Sequence, residues 1–320
     1  MLKISNLSVK RGENIILDDV SFKVHEHKLI SLVGPSGCGK STLLHTIAGF
    51  ISPLKGSITL HGKDLISTPI DKRSIGLVFQ EETLFPNLSV RENIEYGISS
   101  WEVSSREKRV NELLELVNLT SHASKLPHEL SGGEKQRVSL VRALAPQPKL
   151  ILMDESFSSL DPVLRVELRE EIKAILKKLA IACILVTHDR DEAMSFSDEV
   201  VILNDSKIQQ FGTPSELYLK PENEFVAKFF GNGNIVKDGD SNSIKPGYYH
   251  HVDISDKGKV EGKIVRRKFN NGQYYYDVAV IGTEIVFTDI ANREAFDENS
   301  KTTLALSKPW CYDALCSLNE

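Results

Sequence analysis

The sequence lacks any long apolar run: the longest, Leu179–Val186, is eight residues. A membrane-spanning helix needs about 20, so the chain is not expected to cross a bilayer alone. The opening stretch MLKISNLSVKRGE has no apolar core of a secretory signal. Cysteine is scarce and scattered, at Cys38, Cys183, Cys311 and Cys316. That is no disulfide framework, and it points to a reducing, intracellular setting. Cys311 and Cys316 form C-x4-C without histidine partners, a poor zinc pattern. Basic excess is missing too. Against 39 Lys plus Arg stand 44 Asp plus Glu, a net charge of −5, which disfavours a general nucleic-acid binder. There is no internal repeat and no low-complexity tract. What remains is an ordinary globular composition, 41% hydrophobic and 26% charged, in a length that suits about two domains.

Along the first 230 residues short apolar runs alternate with helical patterns. Strands are expected at Leu29–Val33, Gly76–Phe79, Leu150–Met153, Ile181–Val186 and Glu199–Leu203. Helices are expected at Ser105–Val117 and, capped by Asp161 with Pro162 in the first position, at Asp161–Leu179. Alternation of this kind indicates an α/β fold with a largely parallel sheet. After Phe230 the run GNGNIVKDGDSNSIKPG reads as a linker. Short β-type runs follow at Lys259–Val265, Gln273–Val280, Glu284–Phe287 and Thr302–Leu306, which suggest a small all-β barrel or sandwich. In the strand holding Tyr274, Tyr275 and Tyr276, faces alternate, so at least one ring belongs to that core.

Gly34-Pro35-Ser36-Gly37-Cys38-Gly39-Lys40-Ser41-Thr42 fits G-x-x-x-x-G-K-[ST] between an expected strand and the expected helix Lys40–Gly49. Glycines let such a loop curl so that backbone N–H groups face phosphate oxygens, and the helix N-terminus adds its positive end. Lys40 supplies a charge for the β- and γ-phosphates of ATP, and Ser41 a ligand for Mg²⁺. Cys38 occupies a variable position of this loop. Leu150–Met153 leads into adjacent carboxylates, Asp154 and Glu155. Asp154 fits the Mg²⁺-supporting group, and Glu155 the residue that polarises the attacking water. A turn at the strand end is needed for both to reach one site.

Leu130-Ser131-Gly132-Gly133-Glu134-Lys135-Gln136-Arg137 precedes an apolar-periodic helix, Val138–Ala145. It offers a second helix start suited to an anion. The octet resembles the LSGGQ-type signature of ABC-transporter ATPases. Gln80 matches that family's Q-loop glutamine, Ser158-Ser159-Leu160-Asp161 its D-loop, and His188 its switch histidine. The resemblance implies a P-loop ATPase domain with a helical subdomain at 81–145. It also implies head-to-tail pairing, with ATP held between the phosphate loop of one chain and Ser131, Gly132 and Gly133 of the other. Gln80 joins Ser41 and Asp154 around Mg²⁺. Glu155, His188 and Gln80 form the catalytic set, and Asp161 belongs to the nucleotide-binding interface. With one copy of each motif the chain is expected to work as a homodimer or beside a close paralogue.

Two positions depart from the family pattern. The adenine-stacking aromatic falls on Arg11, whose guanidinium can stack on a purine face or stand as a solvated loop residue. Ser156 replaces the usual proline after the glutamate and is expected to loosen the backbone while leaving activity.

Gln80–Tyr96 resembles the surface that grips a permease in importers. Gln210–Gly231 resembles the end of the ATPase domain in importers of ferric iron, polyamines, sulfate and sugars, which carry a C-terminal OB-like (TOBE) regulatory domain. The expected layout is therefore an ATPase domain at 1–232, a linker at 233–247 and an OB-like domain at 248–320. The expected role is the ATP-binding subunit of an importer, peripheral on the cytoplasmic face of the inner membrane. Its partners are a separate integral permease and, indirectly, a solute-binding protein. Gly231–Gly233 puts ferric iron first among cargoes, then polyamine, sulfate or another small ion. The alternatives are an exporter subunit and a soluble ATPase acting on nucleic acid or ribosomes. The last draws on the basic run Lys263–Lys268, but residues 235–320 hold 11 basic and 13 acidic residues.

Overall fold

The computed structural model describes residues 1–79, 84–157, 161–231, 234–236, 247–249, 251–255, 258–270 and 272–307. Gln80, Ser158–Leu160, most of the 233–247 linker, Trp310, Cys311 and Cys316 lie outside the described residues. The chain divides into two compact units, Met1–Phe211 and Gly212–Glu320.

In chain order the first unit contains β1 (Leu2–Arg11), β2 (Asn14–Val24), β3 (Leu29–Val33), α1 (Lys40–Ala48), β4 (Lys55–Leu60), β5 (Lys63–Asp64) and β6 (Ile75–Val78). There follow α2 (Val90–Glu95), α3 (Val103–Leu116), α4 (Gly132–Leu144), β7 (Leu150–Asp154), α5 (Pro162–Lys178), β8 (Ala182–Val186), α6 (Arg190–Phe196), β9 (Glu199–Asn204) and β10 (Lys207–Gly212). One sheet runs β10-β9-β3-β8-β7-β6. Its pairings from β9 through β3, β8 and β7 to β6 are parallel. The five strands expected from their apolar runs all lie in it.

The second sheet, β2-β1-β4-β5, is antiparallel and was not anticipated. Its concealment has a physical cause. β1 buries Leu2 and Ile4, then changes phase to bury Leu7 and Val9. Register shifts between Ile4, Leu7 and Val9 account for the change. A bulge breaks the two-residue alternation by which an amphipathic strand is recognised.

Alternation in β7 shows how the parallel sheet is covered on both faces. Leu150 and Leu152 join Leu43, Leu44 and Ile47 of α1 and Leu2, Ile4 and Leu7 of β1 in one core. Ile151 and Met153 join Leu140 and Leu144 of α4 and Ile172 and Leu176 of α5 in another. Such strands are apolar throughout because neither face meets water.

Helix α5 begins as expected: the Asp161 carboxylate accepts from the Val163 and Leu164 N–H groups at 3.1 and 3.0 Å. Helix α4 begins at Gly132, so the octet forms the helix start expected of it and the apolar-periodic stretch from Val138 continues the same helix. Its start is a reciprocal cap between Ser131 and Glu134, which offsets the weak helix preference of the two glycines.

The second unit opens with α7 (Pro214–Leu219) and α8 (Glu224–Phe230). It continues with β11 (Ile235–Val236), β12 (Gly247–Tyr248), β13 (Val252–Ile254), β14 (Val260–Asn270), β15 (Gln273–Val280), β16 (Val286–Asn292) and β17 (Lys301–Leu306). The sheet β13-β17-β14-β15-β16 is antiparallel at each pairing. β13 also lies near β16, so the sheet curls into the barrel-like form expected of an OB-like domain. Of the three adjacent tyrosines, Tyr276 is the fully buried one. Its hydroxyl donates to the Glu294 carbonyl at 2.7 Å and accepts from the Phe296 N–H at 2.9 Å. No helix among the described residues is long and apolar enough to cross a membrane.

Leu152 is fully buried and Phe269 is 65% exposed. Leu152→Ala is expected to cost about 2–5 kcal/mol in chemical denaturation, and Phe269→Ala under about 0.5 kcal/mol.

Candidate nucleotide site

Parallel pairing puts the C-terminal ends of β3, β8, β7 and β6 side by side. Leu32 and Asp154 both pair with Val186, and Val78 pairs with Met153. At this edge β3 runs into Gly34, β8 into His188, and β7 into Asp154 and Glu155. Ligands of open α/β sheets gather at this edge.

The phosphate loop is shaped by close backbone approach. A Cβ on Gly34 would sit 2.0 Å from the Leu203 carbonyl oxygen. One on Gly39, whose φ is +105°, would sit 2.8 Å from the Leu17 side chain and 3.0 Å from the Ile16 carbonyl oxygen. The Lys40 side chain is buried and donates to the Gly34 and Pro35 carbonyls at 2.8 and 2.9 Å. The loop thus supplies the acceptors that its own ammonium needs. Burial raises the Cys38 thiol above its ordinary pKa, which fits a packed spacer.

Beside the loop, the Ser41 hydroxyl donates to Asp154 Oδ1 at 3.2 Å. His45 Nε2 stands 3.8 Å from Asp154 Oδ2. His45 follows Ser41 by four residues on α1, the spacing that puts two side chains on one helix face. Burial raises the Asp154 pKa, opposed by the Ser41 hydroxyl and then by His45. A half-desolvated carboxylate beside a hydroxyl is a donor pair suited to a hard divalent cation.

Glu155 makes the turn required for both carboxylates to reach one edge. Its φ is +42°, and its N–H donates to the Val186 carbonyl at 3.0 Å. Its Oε1 lies 3.4 Å from His188 Nδ1. Ser156 is fully buried, with its hydroxyl 3.5 Å from the Val78 carbonyl oxygen.

Ser131, Gly132 and Gly133 occupy the start of α4, and a Cβ on Gly133 would touch Leu164 of α5 at 3.5 Å. Asp161 caps α5. Arg11 is exposed and faces Asn14 across the β1–β2 turn. The structure therefore brings together Gly34–Thr42, Asp154, Glu155 and His188, while Gln80 and Ser158–Leu160 fall outside the described residues.

Residues 17–158 match the family described as ABC transporter. The chain is 41% identical over 245 residues to the Fe(3+) ions import ATP-binding protein FbpC of Fusobacterium nucleatum, covering 76% of this chain and 66% of that one. It is 38% identical over 276 residues to the spermidine/putrescine import ATP-binding protein PotA of Haemophilus ducreyi, covering 85% and 72%. It is 44% identical over 234 residues to the sulfate/thiosulfate import ATP-binding protein CysA 2 of Chromobacterium violaceum, covering 73% and 64%. Thus the chain spans roughly two-thirds of the length of these relatives. Among solved structures it resembles the dimeric post-hydrolysis state of the ATP-binding cassette MJ0796 bound to ADP and Pi, at TM-score 0.59 and 30% identity, over 67% of this chain and 99% of that one. CbiO1 of Clostridium perfringens, part of the transporter complex CbiONQ, matches at TM-score 0.64 and 28% identity, over 68% and 90%.

An acid whose pKa is raised by folding destabilises the fold above its ordinary value, 3.8 for Asp154. Asp154→Asn is therefore expected to raise the unfolding midpoint at neutral pH without Mg²⁺, a gain that vanishes as pH falls below that value. The same variant is expected to lose at least about a hundredfold in Mg-ATP turnover, the scale for one preorganised electrostatic group.

Proposed function

Because the chain belongs to the ABC transporter family, we propose that it hydrolyses ATP as a head-to-tail homodimer to drive solute uptake through a separate permease. The observation that carries this reading is the gathering of Lys40, Ser41, Asp154, Glu155 and His188 at one edge of the parallel sheet.

The chemistry follows from those residues. Lys40 exchanges the Gly34 and Pro35 carbonyls for phosphate oxygens. Glu155 accepts the proton of a water attacking the γ-phosphorus in line, and the bond to the bridging oxygen breaks to yield ADP and phosphate. His188, close to the Glu155 carboxylate, orients that base and meets the γ-phosphate. Ser131, Gly132 and Gly133 of the second copy close over the same phosphate. Ser41 and Asp154, with Gln80, would hold Mg²⁺, which supplies charge neutralisation on the phosphate oxygens. Positioning and charge do most of the work in such a transfer. Arg11 is our candidate for the adenine face.

We assign residues 1–232 to the ATPase, 233–247 to a linker and 248–320 to a TOBE-type regulatory domain. In this reading the protein is peripheral on the cytoplasmic face of the membrane, and a solute-binding protein delivers the cargo. We place ferric iron first, on the Gly231–Gly233 run, with polyamine and sulfate next; the named relatives span all three cargoes at similar identity. The nucleic-acid alternative loses its cue in the second unit. Arg266, Arg267 and Lys268 stand 3.9, 3.6 and 3.0 Å from Asp277, Asp297 and Asp289, so three of the four cations in the run face an acid.

Glu155→Gln is expected to abolish steady-state hydrolysis while ATP still drives dimerisation, read by phosphate release and size-exclusion chromatography. Wild-type turnover in that variant removes Glu155 from its role. Affinity purification from membranes is expected to recover an integral membrane protein rather than RNA, and the ligand retained by the cognate solute-binding protein identifies the cargo.

A further inference from the structure

The signature of this chain carries an acidic residue, Glu134, beside the serine assigned to the partner's γ-phosphate. One oxygen of its carboxylate, Oε2, accepts both donors of Ser131, the N–H at 2.7 Å and the hydroxyl at 2.8 Å. The Glu134 N–H donates back to Ser131 Oγ at 3.3 Å. The other oxygen, Oε1, lies 3.2 Å from His122 Nε2. On the far side of that ring, Nδ1 stands 3.0 Å from the Ser121 hydroxyl. Both the imidazolium and the neutral tautomer protonated at Nε2 aim an N–H at Glu134. The side chains of His122 and Glu134 are only 25% and 24% exposed.

The segment carrying His122 is anchored at a fixed place. The Val90 and Arg91 N–H groups, in the first turn of α2, donate to the Lys125 and Ala123 carbonyls at 2.9 Å each. The His122 N–H donates to the Leu119 carbonyl at 2.9 Å. His122 therefore joins the start of α2, inside the segment that resembles a permease-gripping surface, to the first turn of the signature helix.

We propose that His122 is a positioning residue for Ser131: by neutralising Glu134 it lets the serine hydroxyl leave that carboxylate for the γ-phosphate bound by the partner chain. This rests on the reading of Ser131 given above. The physical need arises because Glu134 and a triphosphate compete for one hydroxyl proton and repel one another. Hydrogen bonds from the Ser131 N–H and hydroxyl lower the Glu134 pKa, aided by His122 and Lys125, so the carboxylate is charged when nucleotide arrives. His122 carries the counter-charge or donor that weakens its hold. A glutamine closes the same reciprocal cap without charge, and there His122 has nothing to neutralise.

The test measures steady-state Mg-ATP hydrolysis by the full-length chain across ATP concentrations. His122→Ala is expected to raise KM about fivefold, the scale of one charge-assisted contact, with a smaller change in kcat. The double variant His122→Ala/Glu134→Gln is expected to match Glu134→Gln alone, because the charge that His122 offsets is gone. Binding of ADP, which lacks a γ-phosphate, reports that each variant is folded. An equal rise in KM from His122→Ala in both backgrounds, or no rise in either, overturns the proposal. Ser131→Ala separates this from the reading beneath it. A raised KM there with none in His122→Ala overturns only the role of His122; no effect of Ser131→Ala overturns the phosphate contact itself.

Discussion

Parallel pairing of β3, β8 and β7 is the constraint on which the rest of the molecule depends. Each of these strands ends in a different part of the site: the phosphate loop, His188 and the two carboxylates. Shifting one strand by a residue would move its end by about 3.3 Å and turn its side chains to the other face. The apolar residues forbid that shift. Leu150 and Leu152 fill one core while Ile151 and Met153 fill the other. The register that packs both faces of the sheet is the register that brings Asp154 opposite Val186 and Glu155 beside His188. Hydrophobic burial thereby fixes polar geometry.

Electrostatics then makes the site ready for nucleotide. Lys40 is buried, and its ammonium donates to the Gly34 and Pro35 carbonyls. Asp154 sits partly desolvated, with its pKa raised. Both groups sit where water solvates charge poorly, an arrangement that suits the phosphate and the divalent cation proposed for this site. The left-handed Glu155 belongs to the same economy. Its backbone is held by the Val186 carbonyl, and the strain of that conformation is offset by the cores on either side. At the start of α4 the Ser131 N–H and hydroxyl both donate to the Glu134 carboxylate.

Much of this was legible in residue order. The phosphate loop, the signature octet, the Asp161 cap and the five parallel strands depend on local chemistry and short apolar runs, and each appears within a few residues of its expected place. The antiparallel sheet escaped notice because bulges between Ile4, Leu7 and Val9 change which side of β1 faces inward. At the start of α4 the Ser131–Glu134 cap outweighs the weak helix preference of Gly132 and Gly133. In the second unit the basic run offered only a cue for nucleic acid, already weakened by the acidic balance of residues 235–320. Only the fold reveals the acids near it, Asp277 across the strand pair and Asp289 two strands away.

The sequence by itself determined which chemical groups this protein has and the order in which they come. Phosphate-loop glycines, a lysine, paired carboxylates and a capping serine identify themselves by spacing, since the backbone needs they meet are local. Tertiary structure alone decided their partners. Glu155 and His188 are 33 positions apart in the chain, and His122 and Glu134 sit on separate helical turns. Their meeting is set by strand register, by the turn at Glu155 and by the anchoring of residues 122–125 to α2. Those are long-range packing outcomes, and no short stretch of residues encodes them.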